Sequence, residues 1–245
     1  MSLPSDKPLQ KLQFYVTTAY GCGYLPDRLA QSLIAAPQHL VSADIYNSLI
    51  QQGFRRSGKF VYRPHCENCQ ACVPVRVILD SFNPNRSQKR AFNQHQNLAV
   101  SILPVGFHEE HFKLYETYQK TRHFDASKET DSNESGNNVE QYQSFLCQSN
   151  VETILVEFRD HEQLRMVSVI DIVHDGISAV YTFYDTSDPK ASYGTYNVMW
   201  QAAWAKELNL PYLYLGYWIK ESQKMAYKQN YKPLEKLIDG IWLEE

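Results

Sequence analysis

The chain has 245 residues, of which 43% are apolar and 21% charged, with a formal net charge of −3. This is the composition of an ordinary globular protein, which excludes a disordered or collagen-like chain and allows one large domain or two small ones. The N-terminus lacks the apolar core of a secretory signal, and no apolar stretch approaches the roughly 18 residues that span a bilayer. We therefore expect a cytoplasmic protein that does not enter the membrane, whose five cysteines are thiols or metal ligands.

Two helices and two strands are predicted in the first part of the chain. Proline opens a helical run over residues 26–35, and Ser42 caps a second helix over residues 43–52. Residues 60–63 and 73–79 read as strands around a cysteine-rich turn. The sequence therefore begins with a small α+β unit.

The second part of the chain alternates strands and helices. In order, the pattern predicts a strand at 98–102, a helix at 107–118, an exposed loop at 127–138, a short helix at 139–146, strands at 153–158, 164–173 and 177–185, a helix at 193–208, a strand at 212–218, a short helix at 223–229 and a strand at 237–243. Asp175 and Gly176 form a hairpin turn signal, so the three middle strands should be an antiparallel meander. We predict an α+β protein divided into residues 1–95 and 96–245.

Charge is segregated along the chain. Residues 51–95 hold eight Lys or Arg and two acidic residues, residues 105–175 hold six and fourteen, and residues 190–232 hold six and two. If folding places the two basic segments on one face, that face would attract polyanions. Solvated surface charge is the alternative interpretation.

Three of the cysteines have the spacing of metal ligands. Cys66, Cys69 and Cys72 form CxxCxxC, and Cys22 is a distant fourth thiol within GCGYLPDR. Two-residue spacers let neighbouring thiolates converge on zinc or an iron–sulfur cluster. Burial as small apolar side chains is the alternative. Cys147 is predicted to be core.

Basic and aromatic residues interleave between residues 53 and 65. This pattern suits phosphates and unstacked bases, so we predict tRNA contacts there if the partner is RNA; the residues are Arg55, Lys59, Tyr62 and Arg63. Arg56 belongs to the same segment. Arg76 lies inside an apolar strand, where a guanidinium needs a carboxylate, either from a ligand or from an internal Asp or Glu.

Long strings of the sequence resemble a known family. GCGYLPDRLA, GFRRSGKFVYRPHCENCQACVPVRV, GISAVYTFYDT and YLYLGYWIKESQKMAYKQNYKPLE are similar to the bacterial aspartate/glutamate leucyltransferases, relatives of the eukaryotic arginyl-tRNA-protein transferases. The resemblance implies transfer of leucine from leucyl-tRNA to the α-amino group of proteins that begin with Asp or Glu, which marks them for degradation by the N-degron pathway. The arginyl relatives have CGYC where this chain has Cys22, Gly23, Tyr24 and Leu25, so their metal site does not transfer directly.

The element order also resembles the acetyltransferase (GNAT) fold, in which two strands splay apart to admit an acyl donor. The resemblance places Tyr184, Asp185, Tyr217, Trp218 and Lys220 at the ends of those strands. A preactivated ester needs little acid or base strength, so the demand is for positioning and oxyanion stabilisation. We name Tyr184, Asp185, Tyr217 and Lys220 as catalytic candidates.

Substrate selection requires two further environments. Burying the acidic side chain of an acceptor requires cations, for which Arg56 and Arg76 are the first choices and Lys220 the next. Trp218 is a further substrate-binding candidate. Leucine requires an apolar pocket, for which Phe183, Met199, Trp200 and Leu215 are candidates. His123 is a further candidate base.

Three alternatives to this function remain open from the sequence. An arginyl-tRNA-protein transferase would use the same acceptors. An acetyl-CoA N-acetyltransferase would share the fold, but residues 185–195, DTSDPKASYGT, make a poor phosphate-binding loop. A non-catalytic RNA-binding module would use the basic segment and the thiols alone. The sequence does not give the oligomeric state.

Overall fold

The computed structural model describes residues 12–122 and 137–245, which form a mixed α+β fold. The strands are β1 (Gln13–Val16), β2 (Tyr20–Gly21), β3 (Leu29–Ala30), β4 (Ser32–Ala36), β5 (Arg55–Ser57), β6 (Phe60–Pro64), β7 (Val73–Ile78), β8 (Ala99–Pro104), β9 (Thr153–Asp160), β10 (Gln163–Val173), β11 (Gly176–Tyr184), β12 (Tyr212–Trp218), β13 (Leu234–Ile238) and β14 (Ile241–Glu244). The helices are α1 (Ala43–Gln51), α2 (Arg86–Gln94), α3 (Glu109–Arg122), α4 (Asn137–Leu146), α5 (Tyr193–Glu207) and α6 (Gln223–Ala226). His123 and most of the predicted loop at 127–138 lie outside the described residues.

The N-terminal segment forms a four-stranded antiparallel sheet in the order β1-β4-β6-β5. The predicted helix at 26–35 is wrong, because β4 pairs with β1 on one side and β6 on the other. Pairing on both edges satisfies the backbone donors and acceptors of this segment, and this outweighs local helix propensity. The second helix is confirmed as α1, whose first turn is capped by the Ser42 side chain.

The larger sheet has eight strands in the order β14-β13-β7-β12-β11-β10-β9-β8. The predicted meander is confirmed by the antiparallel pairs β9–β10 and β10–β11. Strand β7 comes from the N-terminal segment yet lies between β12 and β13. A boundary near residue 95 stays a prediction.

Helices cover both faces of the large sheet. Helix α5 packs over β11 and β12, with α2 against it. Helices α3 and α4 cover β9 to β11 from the opposite face. Helix α2 was not predicted from the sequence. It begins at a capping box between Asn85 and Gln88. No helix in the described ranges is long and apolar enough to cross a membrane.

One strand pair in the large sheet is parallel and short. Strands β11 and β12 pair only from Gly176 to Ser178 and from Tyr212 to Tyr214. The register of β12 against β7 then shifts between Tyr214 and Gly216, where Gly216 has a φ of +80°. We call the unpaired space between β11 after Ser178 and β12 after Tyr214 the β11–β12 gap.

Candidate active site

Arg55 lies on the β11 side of the β11–β12 gap. Its guanidinium donates to Ser178 Oγ at 2.9 Å and to the carbonyl oxygen of Ala179. Its Nε lies 3.4 Å from the position that a Cβ at Gly216 would occupy, so the positive φ and missing side chain of Gly216 let the guanidinium approach β12. Arg55 is buried, and its predicted contact to tRNA stays a prediction.

Lys228 lies on the β12 side of the same gap. Lys228 lies in a short 3₁₀ turn that follows α6. Its Nζ donates to the carbonyl oxygen of Tyr217 at 2.6 Å. The residue is 5% exposed. Burial, together with the charge of Arg55, lowers the pKa of Lys228 to about 7.

A cavity of about 260 Å³ is lined in part by Tyr62, which lies opposite Arg55 in the β5–β6 ladder, and by Tyr217, whose carbonyl oxygen binds Lys228. The β2–β3 hairpin, β6, the cysteine segment and β12 form its walls, which are largely aromatic, aliphatic and thiol groups. Its lining includes Tyr20, Tyr24, Leu25, Leu29, Tyr62, Cys72, Tyr217 and Ile219. The cavity therefore brings together the GCGYLPDR segment and the CxxCxxC segment, whose cysteines are more than 40 residues apart in sequence.

Cys22, Cys66, Cys69 and Cys72 all line this cavity, which we call the thiol cavity. Cys66 and Cys69 also pair in an isolated β-bridge, and Arg28 donates to Cys69 Sγ at 3.4 Å. Burial, and then the neighbouring thiols, raise the pKa of Cys72 to about 12. Within residues 12–122 and 137–245, no three His, Cys, Asp or Glu side chains form a group that could hold a metal ion, so the residues do not fit a preformed metal site.

The two arginines expected to bind the acceptor already have internal carboxylates. Arg56 Nη2 lies 2.6 Å from Asp171 Oδ1, and both side chains are almost completely buried. Arg76 pairs with Glu235 and lies 3.6 Å from Asp175 Oδ2. Neither arginine lines the thiol cavity or the second cavity beside Phe145, and neither do Arg55 and Lys228. These contacts favour the internal-partner alternative for both arginines, and their predicted role in acceptor binding stays a prediction.

The catalytic candidates on β11 lie at the end of that strand, where α5 begins. Tyr184 packs edge-on against Tyr118, and its hydroxyl lies 3.3 Å from Arg122 Nη2. Asp185 forms an ion pair of 2.7 Å with Arg165. Hydrogen bonds from Ser187 and Arg165 outweigh burial and lower the pKa of Asp185, so it is a weak base at neutral pH.

The candidates on β12 and just after it have three different environments. The Tyr217 hydroxyl donates to the carbonyl oxygen of Gly53 at 2.9 Å, and burial raises its pKa well above the ordinary value. Trp218 carries the Nζ of Lys236 4.0 Å above its ring, and its buried Nε1 has no hydrogen-bond partner among the described residues. Lys220 is exposed.

The remaining predicted residues are distributed around the β5–β6 hairpin. Lys59 is exposed at its tip, Tyr62 lines the thiol cavity, and Arg63 lies over the ring of Phe54 at 5.1 Å. The predicted leucine pocket does not form, because Phe183 faces α3 and α4 while Met199, Trp200 and Leu215 belong to the core beneath α5. Phe183 therefore packs in a different part of the core from the other three residues.

Sequence reasoning missed Lys228. Lysines recur at positions 220, 224, 228 and 232, the four-residue interval of a solvated helix face. Only Lys228 of these four is buried. The missed clue was the aromatic environment of the string AYKQNY, which favours packing over exposure.

Two family models match the sequence of this chain. The model described as "Arginine-tRNA-protein transferase, N terminus" matches residues 20–90, and "Arginine-tRNA-protein transferase, C terminus" matches residues 110–238. The chain belongs to the arginine-tRNA-protein transferase family. In this chain, the thiol cavity is formed mainly by residues of the N-terminal match, whereas the strands that border the gap belong to the C-terminal match.

Individual relatives cover nearly the whole chain. The aspartate/glutamate leucyltransferase of Methylobacillus flagellatus is 62% identical over 99% of this chain and 95% of its own length. That of Nitrosospira multiformis is 52% identical over 99% of this chain and 94% of its own. Among solved structures, L-PGS from Bacillus licheniformis is 12% identical with a TM-score of 0.47 over 72% of this chain and 59% of that one, a likeness that carries no argument.

Proposed function

We propose that this protein transfers leucine from leucyl-tRNA to the α-amino group of proteins that begin with Asp or Glu, marking them for degradation. The observation that carries the proposal is 62% identity, over nearly the full length of both chains, with a protein named aspartate/glutamate leucyltransferase. Charged tRNA is a cytoplasmic substrate, so we place the reaction in the cytoplasm.

The chemistry makes modest demands on the protein. The leucyl ester is already activated, and an α-amine with an ordinary pKa of roughly 7.7 to 8.0 is partly neutral near pH 7. The amine attacks the ester carbonyl, the new C–N bond forms, and the bond to the ribose oxygen breaks as that oxygen takes up a proton. The protein therefore has to position amine and ester and stabilise the oxyanion.

We propose that these steps take place at the end of β11. The β11–β12 gap has the short parallel pairing of an acetyltransferase-type sheet, and we assign that arrangement to the large sheet. Tyr184 is half-buried, and its hydroxyl can donate to the oxyanion or to the leaving ribose oxygen. Because Asp185 is held by Arg165 and is a weak base, its proposed role is to orient this end of the strand.

An acetyl-CoA donor is disfavoured by the loop between β11 and α5. The backbone amides of Ser187 and Lys190 already bind the carboxylates of Asp185 and Asp188. A pyrophosphate would need such amides free and would meet two carboxylates instead. This observation favours an aminoacyl-tRNA donor.

The β5–β6 hairpin supports a contact to the nucleic acid. Lys59 and Phe60 are exposed at its tip, and Arg63 is partly exposed on the same strand. A cation beside an exposed ring suits phosphate and an unstacked base at the single-stranded end of tRNA. We therefore keep Lys59 and Arg63 as proposed tRNA contacts.

The test uses one peptide that begins with Asp and three labelled donors. We expect label on the peptide from leucyl-tRNA and none from arginyl-tRNA or acetyl-CoA. A peptide that begins with acetylated Asp is the matched control, since it lacks the nucleophile. Transfer from arginyl-tRNA would reassign the donor, and transfer from acetyl-CoA alone would overturn the proposed class of reaction.

A further inference from the structure

Two buried cations face the β11–β12 gap without an anion. Arg55 is held by Ser178 Oγ and the Ala179 carbonyl, and Lys228 by the Tyr217 carbonyl. No carboxylate within residues 12–122 and 137–245 forms a salt bridge with either cation. Their hydrogen-bond partners are therefore neutral dipoles.

This environment differs from that of the other buried arginines. Arg56 has Asp171, and Arg76 has Glu235. Burying a cation without an anion is costly, and two like charges in one gap add repulsion to that cost. An anion bound between Arg55 and Lys228 would offset both effects, so the pair has the electrostatics of an anion site.

The thiol cavity gives such an anion a route to the cations. Tyr62 lies opposite Arg55 in the β5–β6 ladder, and Tyr217 carries the carbonyl that binds Lys228. Both tyrosines line the cavity. The part of the cavity wall formed by Tyr62 and Tyr217 therefore adjoins Arg55 and Lys228, which do not themselves line the cavity.

The size of the cavity restricts the occupant. Its volume of about 260 Å³ is below the roughly 300–1,000 Å³ of pockets that bury a whole small-molecule ligand. A nucleotide is too large for it, whereas a single amino-acid side chain fits. A carboxylate satisfies two adjacent cations because each of its oxygens accepts hydrogen bonds.

We propose that Arg55 and Lys228 bind the side-chain carboxylate of the acceptor's N-terminal Asp or Glu, which enters through the thiol cavity. This inference rests on the proposed function and assigns its acceptor selectivity to residues other than Arg56 and Arg76. Lys228 is then a specificity-determining residue, because it contacts the acceptor side chain and takes no part in breaking the ester.

The site also has a pH dependence. The groups that act on Lys228 are Arg55, which disfavours its protonation, and Cys72, whose own pKa of about 12 keeps it a neutral thiol at pH 7 to 8. A bound carboxylate favours the ammonium form, so binding of an acidic acceptor takes up a proton. The affinity for Asp-initiated peptides should fall as pH rises through about 7 to 8, whereas that for Asn-initiated peptides should not.

The test compares two peptides that differ only in Asp or Asn at the first position. In leucyl transfer, we expect Lys228→Met to lower kcat/KM for the Asp peptide about ten- to hundredfold, mainly through KM. The rate with the Asn peptide and the KM for leucyl-tRNA should stay within about twofold. Lys224→Met is the matched control, since Lys224 is exposed on the preceding turn, and it should leave both peptides unchanged.

Calorimetric binding of the two peptides to each variant separates this inference from the proposed function. Weaker binding of the Asp peptide to Lys228→Met, with the Asn peptide unaffected, supports the site even if wild-type protein transfers no leucine. An unchanged preference for Asp over Asn, or an equal loss with both peptides, overturns it. Lys228→Gln, which keeps a hydrogen-bond donor without the charge, should show the same loss of preference, and thermal unfolding of each variant verifies folding.

Discussion

Arg55 and Arg56 are adjacent on β5, yet their side chains have different electrostatic partners. Arg56 pairs with Asp171 on β10, while Arg55 donates to Ser178, the β11 residue paired with Asp171, and to the Ala179 carbonyl oxygen. Both are buried. The sequence shows two basic residues in a basic segment, but it does not show which one has a carboxylate.

The Arg56–Asp171 pair is expected to stabilise the fold only as a pair. Arg56→Met should lower the free energy of unfolding by about 3–5 kcal/mol, because it leaves Asp171 buried without its cation. Arg56→Met combined with Asp171→Leu should recover much of that loss. Urea unfolding at pH 7 measures both, with Lys59→Met as the exposed control. A single variant as stable as the wild type would contradict the paired arrangement.

The pH dependence of the free energy of unfolding should reflect the titration of Lys228. Its pKa is about 7 in the folded protein against 10.5 ordinarily, so between these values the unfolded chain binds one more proton than the folded chain. The free energy of unfolding therefore rises with pH across this window, and below about pH 7 the full cost of burying the charge is present. Lys228→Met should remove this slope.

The measurement is urea unfolding of the wild type and Lys228→Met at pH 7, 8 and 9. The variant should be the more stable protein at pH 7 by on the order of a few kcal/mol, and the difference should shrink as pH rises. Taking the difference cancels the titration of the tyrosines and cysteines that both proteins share. A difference independent of pH would show that Lys228 has an ordinary pKa.

Tyr184 is the residue for which the proposed chemistry predicts a defect in kcat. Tyr184→Phe removes the hydroxyl proposed to donate to the oxyanion, and loss of one such donor costs about 10²- to 10³-fold. The KM values for leucyl-tRNA and the peptide should change little. Tyr181→Phe is the control because Tyr181 faces α3 and binds Gln119. Single-turnover transfer with an unaltered rate constant would remove Tyr184 from the mechanism.

At the scale of elements, the β5–β6 hairpin is fixed to the rest of the molecule by its turn. Gly58 donates its backbone N–H to the carbonyl oxygen of Phe145 at 3.0 Å and has a φ of +57°. A Cβ at this position would lie 2.0 Å from the carbonyl oxygen of Ser144. The hairpin that carries Arg55 is thus held against the end of α4.

Gly58→Ala should therefore destabilise the protein and displace the hairpin. We expect a loss of at least about 1 kcal/mol from the left-handed φ alone, with the steric overlap adding to it. Thermal unfolding measures the effect, and Gly106→Ala is the matched control because a Cβ at Gly106 would meet no atom within 4 Å. Unfolding curves that coincide for both variants would contradict the close contact with α4.

Prediction of elements succeeded where the sequence pattern is local. The central meander and α1 follow from alternation, a turn dipeptide and a capping serine. The predicted helix at 26–35 was wrong because the strand that forms there depends on partners more than 15 residues away in β1 and β6. The final strand at 237–243 is a hairpin of β13 and β14, whose turn at Asp239 and Gly240 lay inside the predicted strand.

At the scale of the whole molecule, β7 connects the two matched regions of the family. It lies between β12 and β13, so the large sheet is incomplete without residues 73–78. We expect residues 96–245 alone to remain unfolded or to expose apolar sheet surface, whereas the full chain unfolds in one transition. Circular dichroism and binding of a hydrophobic dye test the fragment, with the full chain as control. A fragment with native-like cooperative unfolding would show two independent domains.

The sequence by itself determined the class of fold, most of the elements and the family, because these depend on local periodicity and on long strings of residues. Tertiary structure decided which cations are neutralised and which are not. Charge is visible in a sequence, but the neutralisation of that charge depends on distances between side chains as far apart as Arg56 and Asp171, or Arg55 and Lys228. The folded chain thus pairs Arg56 and Arg76 internally and leaves Arg55 and Lys228 without a carboxylate among the described residues.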